Sequence, residues 1–396
     1  MCELREVYII GAARTAIGSF LGSLKRFKAT ELGGFAIQEA LKRAQITGSD
    51  VDEVIMGNVV SAGLGQAPAK QASMNGGIPP TVNSFAINKV CGSGLKAVWL
   101  AANSIWLEQN EIVVAGGMES MSQSPHLLWK VREGQKMGDL KLKDSMIFDG
   151  LWCAFDDHHM GITGEIIAEK FGATRDEQDR YAVNSHQKAV HAIEKGYFKD
   201  EIVPVEVPQR RGDPVIFEVD EGPRKDAQLE RLSKLRPVFK KDGTVTAGNA
   251  SSINDGASAL VIASEDVVKD KKLTPIAKIS GMTSNALEPS MVMYAPKGAI
   301  EQLMDNLDWK MEDVDLFEIN EAFSSQLVVL LKELGLDEEK VNVHGGAVAL
   351  GHPIGATGAR ILTTLIYALK HRGLKKGIAS LCLGGGDAVA MAVEII

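Results

Sequence analysis

The feature that most restricts what this chain can fold into is a pattern that occurs twice. Residues 84–90 read as a strand running into Cys91-Gly92-Ser93-Gly94; a helix follows from Leu95 with apolar positions at Val98, Ala102 and Ile105; residues 112–115 read as a buried strand before Gly116-Gly117. Toward the C-terminus the order returns. A strand at 341–343, a glycine-rich turn over 345–358, a helix over 361–369 and a strand over 378–383 lead into Gly384-Gly385-Gly386. Ser93-Gly94-Leu95-Lys96 aligns on Thr357-Gly358-Ala359-Arg360 at an offset of 264 residues, and Val51-Asp52 aligns on Val314-Asp315 at 263. Two separate points that agree within one residue predict an internal duplication. Strands at 6–10 and 51–56 with a helix over 31–44 extend the first copy, and the alternation of strands with helices predicts α/β layers.

Between the copies, from about residue 118 to 248, the chain changes character. It carries charge runs, Pro204, Pro208, Pro214 and Pro223, and the segment Arg210-Arg211-Gly212-Asp213-Pro214. Thr174 with Glu177 three residues on is a capping box, which predicts a helix over 174–197 and hence an ordered insertion. An ordered insertion over a duplicated core points to a ligand. The 396 residues, 45% of them hydrophobic, suffice for two or three units with large cores. A net charge of −8 makes nucleic acid and anionic membranes poor partners. The longest apolar runs, such as 327–331, fall short of the roughly 18 residues that span a bilayer, and a first strand beginning by Val7 leaves no room for a leader. Cysteines at 2, 91, 153 and 382, with no CxxC pair, read as thiols of a reducing compartment, which places the protein in the cytoplasm.

Four residues at strand ends could do chemistry. Cys91 sits where a strand hands over to a helix, and free N–H groups there are expected to lower a thiol pKa and to stabilise an anion. The alternative is a cysteine packed like a small hydrophobe. His352 precedes Pro353 and so is held on a loop. It lies at the turn of the second copy that matches the turn of Cys91. Cys382 ends a buried strand before three glycines, and Asn320 follows a strand over 315–319. Together they offer two thiols, an imidazole and an amide, so that one thiol can attack while the other moves protons. Zinc sites need closely spaced Cys/His pairs, and these residues are too dispersed, so no metal is expected. Of the adjacent His158 and His159, strand alternation turns one toward solvent. A cysteine-protease reading of Cys, His and Asn fits the doubled glycine turns badly.

The motifs Asn88-Lys89-Val90-Cys91-Gly92-Ser93-Gly94-Leu95-Lys96-Ala97, Asn320-Glu321-Ala322-Phe323, Gly345-Gly346-Ala347-Val348-Ala349-Leu350-Gly351-His352-Pro353-Ile354-Gly355 and Cys382-Leu383-Gly384-Gly385-Gly386 resemble the thiolase family, with Ala13-Arg14-Thr15-Ala16-Ile17-Gly18 extending the likeness to the start of the chain. The likeness is greatest to its biosynthetic type. The resemblance implies a five-layered αβαβα fold from two duplicated halves, residues 1–118 with 249–272 and residues 273–396, and an inserted loop domain, 119–248, that binds coenzyme A. It also implies a homotetramer that condenses two acetyl-CoA to acetoacetyl-CoA and CoA and runs the reverse cleavage. No cofactor is implied beyond coenzyme A as substrate and product. Cys91 would carry the acyl group and Cys382 would serve as acid and base. His352 would activate Cys91, Asn320 would fix a water in one oxyanion hole, and the N–H groups of Cys91 and Gly384 would form the other. His159, Met160, Ser251, Ala322 and Phe323 would line the pantetheine and acyl path, with Met160 narrowing it to short chains and Arg224 at the adenine or phosphate end. Two other readings stay open: a thiolase for broader 3-ketoacyl chains, and a non-catalytic acyl-CoA- or lipid-binding descendant.

The chain departs from the family pattern at Gly164-Glu165-Ile166, Trp152-Cys153, Ser252 and His344. Cys153 reads as a packed thiol.

Overall fold

The computed structural model describes residues 5–396, and Cys2 lies outside them. The two copies form equivalent elements. The first comprises β1 (Val7–Thr15), α1 (Ala29–Ala44), β2 (Glu53–Gly57), α2 (Pro68–Asn75), β3 (Asn83–Ile87), α3 (Ser93–Trp106) and β4 (Ile112–Ser120). After β4 come short strands β5 (Trp152–Cys153) and β6 (His158–His159), then α4 (Gly161–Phe171) and α5 (Arg175–Lys195), and β7 (Asn254–Ser264) returns the chain to the first copy. The second copy runs β8 (Ala277–Ala286), α6 (Ala295–Leu307), β9 (Leu316–Ile319), α7 (Ser324–Leu334), α8 (Ala347–Leu350), α9 (Ile354–Arg372), β10 (Lys376–Leu383) and β11 (Asp387–Ile395).

Strand order is β9-β10-β11-β8-β1-β7-β4-β2-β3, and the pairing is the same in both halves. β2 runs parallel to β4 as β9 does to β10, β4 is antiparallel to β7 as β10 is to β11, and β7 is antiparallel to β1 as β11 is to β8. Even the bulges correspond, between Ile9 and Gly11 and between Ile279 and Gly281. The two sheets join edge to edge where Tyr8 pairs with Lys278 and Ile9 with Ala277. The aspartates of the aligned Val-Asp pairs repeat one local motif. Asp52 Oδ2 accepts from the N–H groups of Glu111 and Ile112 at 2.8 Å, and Asp315 Oδ2 accepts from those of Lys375 and Lys376 at 2.9 and 2.8 Å.

Layering follows from burial. Every residue of α9 from Ile354 to Leu369 is buried, Arg360 among them, so the helix lies inside the structure rather than on it. It packs with α3 between the two sheets, while α1 covers the first sheet and α6 the second, which gives five layers. Such a middle layer demands close approach. A Cβ on Gly94 would lie 2.7 Å from Ala359 N, and one on Gly358 would lie 2.4 Å from Leu95 N. Each glycine meets the residue that follows its counterpart, as a twofold relation between the copies requires.

The sequence reading differs from the structure in one strand. Residues 341–343 form no strand; Val341 makes a single bridge to Phe317. Asn342 has φ 48, and its side chain both accepts from Ile319 N and donates to Ile319 O at 2.8 Å, so it replaces the strand pairing with side-chain bonds. The predicted capping box is present: Thr174 caps α5, and Glu177 reaches back to its N–H at 2.8 Å. No helix among the described residues is long and apolar enough to cross a membrane.

Replacing Gly94 or Gly358 by Ala should therefore cost about 2–3 kcal/mol in denaturant unfolding, because the clash is with backbone that cannot rotate away. Losses under about 0.5 kcal/mol at both positions would mean that the crossing does not depend on glycine.

Candidate active site

Residues 88–92 turn the chain from β3 into α3 under strain. Val90 has φ 46, an unfavourable conformation for a β-branched residue. Hydrogen bonds hold it there: Val90 N–H donates to Asn88 Oδ1 at 3.0 Å, and Ser93 Oγ accepts from Lys89 N and donates to Val90 O. Lys89 forms an ion pair with Asp387, which ties this turn to the one joining β10 and β11. A Cβ on Gly92 would strike Leu383 Cδ2 at 2.5 Å, so glycine lets the two turns meet.

Cys91 lies at that meeting, partly exposed, and the N–H groups of Gly384 and of Cys91 itself point at its sulfur. Gly385 and Gly386, with φ 100 and 96, complete the second turn in a conformation that favours glycine. The expectation that the helix end lowers the Cys91 pKa is not met. Burial pushes the thiol up to about 12, and the two N–H groups oppose that rise without reversing it. Cys382, buried at the end of β10, is also pushed up, first by burial and then by the closeness of Cys91. Its thiol donates to Gln326 Oε1 at 3.6 Å.

His352 follows α8. Its N–H donates to Asn254 Oδ1 at 2.9 Å, and Ser252, one of the family departures, donates its hydroxyl to the same oxygen at 2.8 Å. Burial lowers the imidazole to about 3, and Arg360 adds to the effect, so it is neutral at pH 7. The neutral tautomer is fixed by Thr357. That hydroxyl donates to Pro353 O at 2.9 Å and lies 2.6 Å from His352 Nδ1, so it can only accept from Nδ1–H. Nε2 is left with its lone pair. Ile354, two residues on, belongs to the buried cluster against which Val90 and Cys91 pack. Asn320, at the end of β9, is fully buried with both amide atoms lacking a partner in the protein, the condition of a side chain that serves a ligand or a water.

A cleft of about 1100 Å³ lies beside the Cys91 turn, lined by its neighbour Val90, by Gly384 and Gly385, and by Phe148, Trp152 and Met160. His159 stacks on Phe239, ring centroids 4.7 Å apart, and Phe239 meets Phe323 edge-on. His159 Nδ1 accepts from Gly161 N–H at 3.0 Å, leaving Nε2–H as the donor of the neutral ring, which burial favours. Ser251 N–H donates to Ala322 O at 3.1 Å, so Ser251, Ala322 and Phe323 adjoin. Gly164 accommodates the Phe323 ring, which a Cβ there would approach to 3.0 Å. Arg224 stands apart: it is exposed, and its backbone N–H donates to His186 on α5. Sequence reasoning missed Val90, Asn254, Gln326 and Thr357, whose residue types signal nothing without the fold.

Residues 7–266 match the family model of the thiolase N-terminal domain, and 273–395 that of the C-terminal domain. The chain belongs to the thiolase family. It is thus an enzyme of the acyltransferase class. An acetyl-CoA acetyltransferase of Cupriavidus necator is 51% identical over 99% of this chain and 100% of its own length. A probable acetyl-CoA acyltransferase of Staphylococcus aureus is 50% identical over 99% of each. Among solved structures, the Bacillus anthracis acetyl-CoA acetyltransferase superposes with a TM-score of 0.97 at 45% identity over 99% of each chain. Human mitochondrial 3-ketoacyl-CoA thiolase gives 0.96 at 41% identity over 99% of this thiolase and 100% of its own chain.

With the Cys91 thiol near 12 and the imidazole near 3, the resting pair is neutral. Alkylation of Cys91 by iodoacetamide, followed by peptide mass spectrometry, should rise about tenfold per pH unit from about pH 6 to 9 without levelling. A plateau below pH 8 would mean a thiolate–imidazolium pair instead.

Proposed function

We propose that this thiolase is an acetyl-CoA acetyltransferase working by two half-reactions through an acyl-Cys91 intermediate. The observation that carries the reading is the convergence of two N–H groups on the Cys91 sulfur beside a second thiol, Cys382. In the first half-reaction Cys91 Sγ attacks the thioester carbonyl while His352 Nε2 takes its proton. The new C–S bond forms, the bond to CoA sulfur breaks, and the leaving sulfur recovers the proton from His352. Developing charge on the carbonyl oxygen would be met by the Cys91 and Gly384 N–H groups, each such donor being worth about 3 kcal/mol.

In the second half-reaction the Cys382 thiol gives its proton to His352 and, as thiolate, removes an α-proton from another acetyl-CoA; the carbanion forms the new carbon–carbon bond, the acyl bond to Cys91 breaks, and the Cys91 sulfur recovers the proton from His352. A water held by the unpaired Asn320 amide, together with His352, would stabilise the enolate oxygen. In the cleavage direction the protonated Cys382 favoured by burial is the form that donates to the leaving carbon. Residues 119–248 would bind CoA against both halves, 1–118 with 249–272 and 273–396. His159, Met160, Ser251, Ala322 and Phe323 would line the pantetheine and acyl path, and Arg224 would meet the nucleotide end. Met160 in the cleft wall favours short acyl chains over the broader 3-ketoacyl range. The reading includes a cytoplasmic homotetramer with acetyl-CoA, acetoacetyl-CoA and CoA as its substrates and products.

CoA-dependent loss of acetoacetyl-CoA should be measurable with the purified protein, and well-folded protein without turnover would sink the proposal in favour of a non-catalytic acyl-CoA binder. Cys91→Ala should abolish acetyl labelling from acetyl-CoA, whereas Cys382→Ala should keep labelling and lose carbon–carbon bond chemistry; equal loss of labelling in both would contradict the division of roles. Thr357→Val should lower kcat roughly 10–100-fold with little change in KM, since it releases the tautomer and not the substrate.

A further inference from the structure

The hairpin of β5 and β6 carries a feature that the catalytic reading leaves unused. Trp152 pairs with His159 and Cys153 with His158 across the strands, so Cys153 and His158 project from one face while Trp152 and His159 take the other. Against the sequence expectation, neither histidine is open to solvent; both are half-buried. Asp157, with φ 49, turns the connecting loop back over the hairpin, and its carboxylate is engaged by Trp152 Nε1 at 2.9 Å. Asp156 is thereby placed over the Cys153–His158 pair.

One donor atom each from Cys153, Asp156 and His158 lies within 4.8 Å of the others, and this is the one such group of three among the described residues. The sulfur of Cys153 and Oδ2 of Asp156 are 3.7 Å apart. Two ligands at tetrahedral zinc distances are separated by about 3.5 Å, so this edge of a zinc site already exists. His158 is prepared as a third ligand. Its Nδ1 faces the Asp156 carbonyl at 3.4 Å, and since a carbonyl only accepts, the proton of the neutral ring sits there. Nε2 then bears a free lone pair, and it is buried with no hydrogen-bond partner. A ring N–H held by a backbone carbonyl is the usual support of a metal-bound histidine.

We propose that Cys153, Asp156 and His158 form a zinc site at the rim of the cleft. The mixed sulfur, nitrogen and oxygen donors suit Zn²⁺ rather than Mg²⁺ or Ca²⁺, which take oxygen ligands. The thiol proton, now directed at Asp156, is released to solvent as the Zn–S bond forms, so each zinc bound frees one proton and binding weakens as pH falls. Three protein ligands leave a fourth position for water. Cys153, Trp152 and Asp157 also line the cleft, so the ion would brace the strand that leads into His159 and Met160. The absence of metal expected from the sequence rested on residues hundreds of positions apart and overlooked this spacing of two and one intervening residues. The site does not depend on the proposed acetyl transfer.

Titration of the metal-free whole protein with Zn²⁺ against a chromophoric chelator tests the site. One zinc per chain should bind, and Cys153→Ser, His158→Gln and the exposed Asp156→Asn should each weaken it at least tenfold. Co²⁺ in place of zinc should give a thiolate-to-metal charge-transfer band that is lost in Cys153→Ser and kept in Cys91→Ser. Zinc affinity unchanged in folded Asp156→Asn and His158→Gln proteins, or a charge-transfer band that disappears with Cys91 rather than Cys153, would overturn the proposal. Turnover measured on the same metal-free protein reports on the catalytic reading separately.

Discussion

Everything at the site hangs on the contact between α3 and α9 at Gly94 and Gly358. Two helices can share a middle layer only if they pack closely, and the reciprocal approach of Gly94 to Ala359 and Gly358 to Leu95 achieves that. The crossing lies just past Cys91 on one helix and just past His352 on the other. Bringing the helix starts together therefore brings the thiol turn and the histidine loop together. Glu119 reinforces the junction: its buried carboxyl accepts from Val59, Val60 and Asn58 of the first half and from Gly355 of the second, at 2.8–3.2 Å. Burial raises that group to about 7 even against four donors, which measures how dry the junction is.

The same dryness sets the electrostatics of the site. Neither thiol and not the imidazole is charged at rest, because burial outweighs the N–H groups around Cys91 and leaves no nearby carboxylate paired with His352. On the proposed reading, charge is created only as bonds change, inside a shell already arranged to receive it, an arrangement that keeps solvent reorganisation small. A fixed tautomer matters more here than in a solvated site. For the proposed proton transfer, a neutral imidazole presenting N–H to Cys91 would be unable to take its proton; the Pro353–Thr357–His352 chain of hydrogen bonds places the proton on Nδ1 and leaves the Nε2 lone pair for that role.

Much of this was legible in the sequence because duplication leaves two readings of each constraint. The aligned aspartates Asp52 and Asp315 mark the same backbone motif, and the aligned glycines mark the same crossing, so pattern alone located the turns that carry Cys91 and His352. Asn320 and Cys382 were legible as residues at strand ends. What stayed hidden depends on backbone conformation and on distant partners. The strained Val90 is an ordinary strand residue by propensity, and the Gly384 N–H that points at Cys91 comes from the turn after β10, nearly 300 residues away in sequence. The expected strand at 341–343 failed for a related reason, since Asn342 satisfies Ile319 with its side chain and relieves the backbone of doing so.

The loop residues show where a family pattern can drift without disturbing the chemistry. Ser252 and Gly164 are tied to the core, one bonding Asn254 behind His352 and the other making room for Phe323, so each change is answered by a contact with a buried residue. The Trp152–His159 hairpin is held differently: its own cross-strand pairs and the Trp152–Asp157 bond close it upon itself. A unit closed upon itself can change the pair Cys153 and His158 on one face while the opposite face still delivers His159 to Phe239. Strand alternation separates the two faces, so a change at Cys153 or His158 need not disturb the stacking of His159.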